Sequence, residues 1–323
     1  MLSEYAAKAQ VLRWRRPLRL LGLLTAAVLV LGAHHSHGRR DCTQPECLPP
    51  ANPAVVNLLA GNQAAANLRG WSPTRSFRRV AVPAWGRMAA LDSASLLTIL
   101  KVNRVDLTHA RRGVLLVPDS IAPEELYSPL PDSLPDLGEF PKFVIVSRRV
   151  QAFGAYVNGH LVRWGPTSTG KAQTPTDSGL FFTTWKSRTA ISTDDPSWVL
   201  DWYVNFMALK GVAFHQYALP GRPASHGCVR LLEEDARWIY AWADQWVPGR
   251  GSRIKHYGTP VLVMGEYDYG APAPWLALAE DPRADSVSAA EVGAALGPYL
   301  ESLAAHRSDP RTLAVVTGGP RPL

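Results

Sequence analysis

The chain has 323 residues, 46% of them apolar and 19% charged, enough for one or two packed domains and unlike a disordered or collagen-like polymer. The formal charge is +7, but residues 1–40 hold Lys8, Arg13, Arg15, Arg16, Arg19, Arg39 and Arg40 against Glu4 alone, which leaves the rest of the chain at +1. That excludes the basic footprint a phosphate backbone requires, so nucleic acid is not an expected partner.

Arg13 to Arg19 precede an uncharged run, Leu20 to Ala33, which ends in a His-rich stretch. The run is short for a bilayer-spanning helix, which needs about 20 residues, and has the layout of a secretory signal whose positive end stays in the cytoplasm. Residues 1–40 therefore read as a signal peptide or, through residues 18–33, an N-terminal membrane anchor. Either way the protein is exported, to the periplasm or cell envelope, and an uncleaved segment would make the inner or cytoplasmic membrane a partner. Cys42 and Cys47 are placed to bridge one another in an oxidising compartment, leaving Cys228 as the odd thiol.

Residues 51–120 read as a small, mixed α/β N-terminal region, helical over Val55 to Leu68 and Met88 to Val102. Asn103, then Gly113 turning into Val114–Val117, is similar to the second half of a LysM-type peptidoglycan-binding module. Pro129, Pro131, Pro135 and Pro141 mark residues 121–141 as a linker.

From Lys142 to Tyr269 strands dominate. Phe143–Val146, Ala152–Val157 and Leu161–Trp164 are β-rich, with Asn158-Gly159 supplying a tight hairpin turn. Further strands are expected at Gly179–Trp185, Val199–Phe206, Val212–Tyr217, Ser252–His256 and Pro260–Gly265. One helix interrupts them: Glu233, Glu234 and Asp235 suit its positive end, and Trp238, Trp242 and Trp246 form a stripe expected to pack into the core. The fold class is mainly β, α+β overall. Residues 270–323 read as a C-terminal helix, opened by a Ser288-x-x-Glu291 capping box, and a frayed tail.

Gly165 to Lys171 imitates a phosphate loop, but Ala172 offers no hydroxyl for a magnesium ion and the Pro-containing residues that follow cannot begin a helix. No nucleotide partner is expected. The chemistry lies elsewhere. His215 ends a predicted strand, and Ser225-His226-Gly227-Cys228-Val229-Arg230 follows after a Pro/Gly turn, just before the tryptophan helix. An imidazole and a helix N-terminus both lower a thiol's pKa from roughly 8.5, so Cys228 is the candidate nucleophile and His215 its proton donor and acceptor. Amide N–H groups at Gly227 and Cys228 are expected to face an oxyanion. A zinc site built on His215, His226 and Cys228 lacks further ligand spacing, and neither metal nor cofactor is expected.

These residues resemble the L,D-transpeptidases of bacterial cell walls with a YkuD-like catalytic domain, over about Lys142 to Tyr269. The matching features are His215, the Ser225-His226-Gly227-Cys228 segment with Arg230 after it, and upstream Ser168-Thr169-Gly170-Lys171 followed by Thr176-Asp177-Ser178-Gly179-Leu180-Phe181. The resemblance implies a β-sandwich-like domain over 142–269 with a helix packed after the cysteine. It also implies peptidoglycan stem peptides as substrate, with Ser225, His226, Gly227 and Arg230 shaping the oxyanion and substrate site. An L,D-carboxypeptidase using the same pair, or a non-catalytic wall-binding protein, are the alternatives. Two departures stand out: only nine residues, Gln216 to Ala224, separate His215 from Ser225, and Asp177 replaces a common Pro.

Overall fold

The computed structural model describes residues 76–81, 92–111, 113–122, 124–249 and 254–308. The expected export segment, Cys42, Cys47, the Val55 to Leu68 stretch and the Gly318 to Pro322 tail lie outside them. Among the described residues no helix is long and apolar enough to cross a membrane.

The N-terminal unit pairs β1 (Phe77–Ala81) antiparallel with β2 (Val114–Pro118), with α1 (Ser93–Asn103) between them in sequence. Asp92 caps α1 by accepting from the Ser95 amide at 2.9 Å. Asn103 closes the unit. Its side-chain amide donates to Leu116 O and accepts from Leu116 N, each at 2.8 Å, so a buried polar side chain is satisfied as an extra rung beside β2.

The chain then forms β3 (Phe143–Ser147), β4 (Ala152–Val157), β5 (His160–Ser168), β6 (Gly179–Phe182), β7 (Lys186–Ile191), β8 (Val199–Met207), β9 (Val212–Gln216), β10 (Val229–Leu231), α2 (Glu233–Trp242), β11 (Val247–Pro248), β12 (Ile254–His256) and β13 (Pro260–Met264). Nine of these strands make one sheet in the order β6-β13-β3-β4-β5-β10-β9-β8-β7, while β11 and β12 pair separately. The expected hairpin is present, with φ of 48° at Asn158 and 77° at Gly159. β1, β7, β10 and β11 are not among the strands expected from the sequence.

Both faces of the sheet are buried, and the alternation of β3 shows how. Phe143 and Ile145 point into one apolar cluster while Val144 and Val146 point into another. The second cluster gathers Val204, Phe206, Phe214, Val261 and Val263 from both halves of the sheet and closes on α2 through Ala236, Ile239 and Ala243. The sheet is therefore curled over one core, and the fold is mostly β.

Three expectations change. Residues 130–140, expected within a linker, bury Leu130, Leu134, Leu137 and Phe140 in the first cluster; Pro135 opens a single short turn there, so the prolines shape a packed segment rather than free it. The tryptophan stripe packs against the second cluster as expected, but from its edge and with two members rather than three. Trp238 and Trp242 are half-buried and stack on each other at 4.9 Å, with Arg163 over one and Lys142 over the other, and α2 stops before Trp246. The C-terminal helix, capped by Ser288 and Glu291 as expected, is split at Gly297-Pro298 into α3 (Ala289–Leu296) and α4 (Leu300–Ser308).

Candidate active site

β9 and β10 run parallel, with His215 opposite Arg230 and Phe214 opposite Val229. Side chains alternate along a strand, so Cys228, two residues before Arg230, emerges on the same face as Arg230 and its partner His215. His215, Cys228, Arg230, Ser225 and His226 line one open cleft, joined by Ser192, Asp194, Trp198, Leu200 and Tyr217. Gly227 is not in its lining. The structure thus brings together all but one of the residues singled out from the sequence.

His215 is 3% exposed. Its Nδ1 lies 2.9 Å from Gln216 O; a carbonyl only accepts, so Nδ1 carries the proton and Nε2 is left as the base. Burial lowers this imidazole to about 4. Cys228 is partly exposed, and its Sγ makes a long 3.8 Å contact to Gly211 O. Burial raises the thiol to about 11, a shift that a hydrogen bond from the Ala213 backbone opposes. Both groups are neutral between those limits, so the cleft holds a thiol and an imidazole rather than a preformed ion pair. The helix N-terminus is remote: four residues, Val229 to Leu232, roughly 13 Å of extended chain, separate Cys228 from α2, beyond the first-turn range of a helix dipole.

This charge state sets the pH dependence. A thiol at about 11 is ionised to only about one part in 10⁴ at pH 7. Alkylation of Cys228 by iodoacetamide, which consumes thiolate, is therefore expected to keep accelerating through pH 9 to 10; a plateau below pH 8 would show an ion pair instead. Deprotonation by His215 is lost only as pH falls through about 4.

The false phosphate loop proves to be the platform under the cysteine loop. Thr169 O accepts from the amides of Ala224 and Ser225, both at 3.0 Å, and Lys171 N donates to Ser225 O at 3.0 Å. The Thr176 hydroxyl accepts from Gly170 N at 2.9 Å and donates to Gly227 O at 2.7 Å. Gly170 has no room for a side chain, since a Cβ would sit 2.1 Å from Thr174 O. Gly227, at φ +113°, takes a conformation that suits glycine. The Ser225 hydroxyl clips the loop shut, donating to Cys228 O at 2.5 Å and accepting from Gly227 N at 3.1 Å. The Gly227 amide, expected at an oxyanion, is thus committed to Ser225. Thr176→Val, nearly isosteric, strands a buried amide and a carbonyl; a loss of roughly 1–3 kcal/mol is expected by denaturant unfolding.

His226 is exposed, stacks against Trp198 with ring centroids 4.8 Å apart, and accepts from Lys171 Nζ at 2.8 Å. Arg230 sits 4.7 Å over the Tyr217 ring. Asp177, the departure from the resembled pattern, pairs with Lys210. Tyr203 was missed by the sequence reading. A register shift in β8, with Trp202 at φ 57°, places both Leu200 and Tyr203 in the cluster beside the cleft. The Tyr203 hydroxyl donates at 2.7 Å to Gly211 O, the carbonyl that faces Cys228 Sγ. No sequence signal marks such a bulge. Among the described residues no cluster of metal-ligating side chains occurs.

Residues 141–263 match the family model for YkuD, described as the L,D-transpeptidase catalytic domain. Residues 141–263 are thus similar to the YkuD catalytic domain over about two fifths of the chain. The mostly β fold with a helix after the cysteine segment is the one that domain implies. Similar solved structures include an L,D-transpeptidase from Stackebrandtia nassauensis, 25% identical over 40% of this chain and 58% of that one, with a TM-score of 0.34. Others are an L,D-transpeptidase from Mycobacterium smegmatis (23% identity, 39% and 59% coverage, TM-score 0.31) and L,D-transpeptidase 1 from Mycobacterium tuberculosis (24%, 38% and 62%, 0.30). The chain spans roughly three fifths of the length of each. No curated protein is significantly similar to it.

Proposed function

We propose that the protein forms peptidoglycan cross-links through a thioester on Cys228, with His215 moving the proton. The observation that carries this is the parallel register of β9 and β10, which puts an uncharged imidazole with a free Nε2, a thiol and a guanidinium on one face of an open cleft. As Sγ adds to the carbonyl of the stem's third residue, Nε2 takes the thiol proton. It returns that proton to the departing D-alanine amine as the C–N bond breaks and the thioester forms. The side-chain amine of a diamino acid on a second stem then attacks the thioester, loses a proton to His215, and the Cys228 thiol is regenerated. With Gly227 N–H bound to Ser225, negative charge on the tetrahedral oxygen falls to Cys228 N–H and Arg230. Ser225 and Gly227 then serve by fixing the loop, and His226 by shaping the substrate wall with Trp198. We place the protein outside the cytoplasm on the layout of residues 1–40, where its substrate is found.

Mass spectrometry of a disaccharide-tetrapeptide incubated with the reduced protein tests this. A dimer lacking one D-alanine is the expected product. Released D-alanine without dimer would make the protein an L,D-carboxypeptidase, and unchanged substrate would favour a wall-binding role.

A further inference from the structure

The nine residues Gln216 to Ala224 connect the two halves of the candidate site, and their inner edge touches the cleft. Arg230 donates to Ala218 O at 3.4 Å, and Ser168 Oγ donates to Arg222 O at 2.8 Å. Their outer edge is held by the chain just after α1. Val105 forms an antiparallel bridge with Pro220. Asp106 N donates to Leu219 O at 3.0 Å, and Gly221 N donates to Arg104 O at 3.1 Å. The Asp106 carboxylate completes the seam: Oδ2 accepts from Leu219 N at 2.8 Å, while Oδ1 accepts from His109 N at 2.9 Å and faces His109 Nδ1 at 2.8 Å.

The position of this seam is itself pinned. α1 ends at Arg104 in the left-handed region, φ 58°, and the fully buried guanidinium bonds Val150 O at 3.0 Å and Asp285 at 2.6 Å. Where Val105 and Asp106 run is therefore dictated by the catalytic sheet and the C-terminal segment together. The catalytic sheet holds the loop's inner edge, and the N-terminal unit holds its outer edge.

We infer that Asp106 is a positioning residue for the transfer reaction: acting through Leu219, it holds the 216–224 loop so that His215 and Cys228 keep their reactive spacing. This rests on the reading of Cys228 and His215 as the reacting pair. It makes the N-terminal unit part of the construction of the site rather than an appended module.

The experiment compares the full-length wild type with Asp106→Ala, Asp106→Asn and Arg79→Ala. Readouts are hydrogen exchange of the 217–222 segment, the single-turnover rate of Cys228 acylation by tetrapeptide, and the split between kcat and KM. Asp106→Ala is expected to raise exchange at Leu219 at least tenfold with β3–β5 unchanged, and to lower kcat by roughly 10- to 100-fold, the range an ångström-scale misplacement produces, with KM within threefold. Asp106→Asn keeps an oxygen for the Leu219 amide and is expected to recover most of the rate. Arg79→Ala removes exposed bonds from β1 of the N-terminal unit to Glu280 and Leu276 O of the C-terminal segment, away from the 216–224 loop, and is expected to change neither rate nor exchange there. A wild-type rate for Asp106→Ala overturns the inference, as does an equal loss in Arg79→Ala, which would mean general loosening of the unit. Wild-type protein that never acylates overturns the reading of Cys228 itself.

Discussion

Cys228→Ala is expected to lower stem-peptide acylation and cross-linking to background, a loss of roughly 10⁴- to 10⁶-fold, because no other group in the cleft can form the thioester. Mass spectrometry of the protein after incubation with tetrapeptide reads the first step directly: wild type gains an acyl group and the variant gains none. The substitution removes a long S–H contact to Gly211 O and a hydrogen bond from the Ala213 backbone, neither of which joins elements of the core, so folding is expected to be retained. His215→Gln preserves a side chain able to bond near Gln216 O but cannot carry the proton, and a loss of roughly 10²- to 10⁴-fold is expected. The two should not add. A thiol at about 11 that loses its base has no remaining route to thiolate at neutral pH, so the double variant is expected to match Cys228→Ala alone. Two variants whose losses multiply would mean that His215 acts on something other than Cys228.

The resting pair also shapes what the enzyme costs and gains. A neutral imidazole and a neutral thiol avoid placing two charges on groups that burial disfavours charging, and in the proposed mechanism the proton moves as the sulfur adds to the carbonyl. On the proposed mechanism, substrate binding rather than a standing thiolate is the trigger, which protects the cysteine from adventitious alkylation and oxidation.

How much of this was legible beforehand depended on the range of the interaction. Strand alternation and the Asn158-Gly159 turn are local, so β3, β4 and the hairpin were placed within a residue or so. His215 and Cys228 stand out in the sequence as candidates because their residue types are rare together, and the structure lines one cleft with both. What joins them is not local: β10 has three residues and pairs parallel with β9, and nothing in Val229-Arg230-Leu231 announces that partner. The same holds for Thr176, whose hydroxyl matters only because Gly170 and Gly227 meet there. The tryptophan stripe misled only in how deep it packs, for a different reason. Period alone does not say which face is buried, and small residues, Ala236 and Ala243 about Ile239, let α2 lie close to the sheet while the large rings spread over its edge under cations. The prolines at 129 to 141 misled likewise, since proline forbids regular structure but not burial.

Lys101→Met is expected to destabilise the protein by about 3–5 kcal/mol, the range for removing one partner of a buried ion pair. Lys101 is fully buried. Its ammonium lies 3.0 Å from Glu124, 3.3 Å from Glu234 and 3.7 Å from Asp235, and donates to Trp164 O at 3.4 Å. Arg163 binds the same Asp235 at 2.6 Å. Burial alone would lower the Lys101 pKa, but Asp235, Glu124 and Glu234 outweigh it and hold the group charged. Asp235 is also fully buried, and its Oδ2 has no hydrogen-bond partner. Without Lys101, three carboxylates face one guanidinium in a site that ties α1 to β5 and α2. Burial already raises Glu234 above its ordinary range, so in the variant the cluster is expected to take up a proton as pH falls. The sign follows: the variant binds that proton in its folded state more readily than wild type does, so its deficit is largest at neutral pH and shrinks toward pH 5. Urea unfolding of both proteins at pH 7.5 and pH 5 measures this. A deficit that is the same at both pH values would mean that lost packing of the lysine stem, and not unpaired charge, is what the substitution costs.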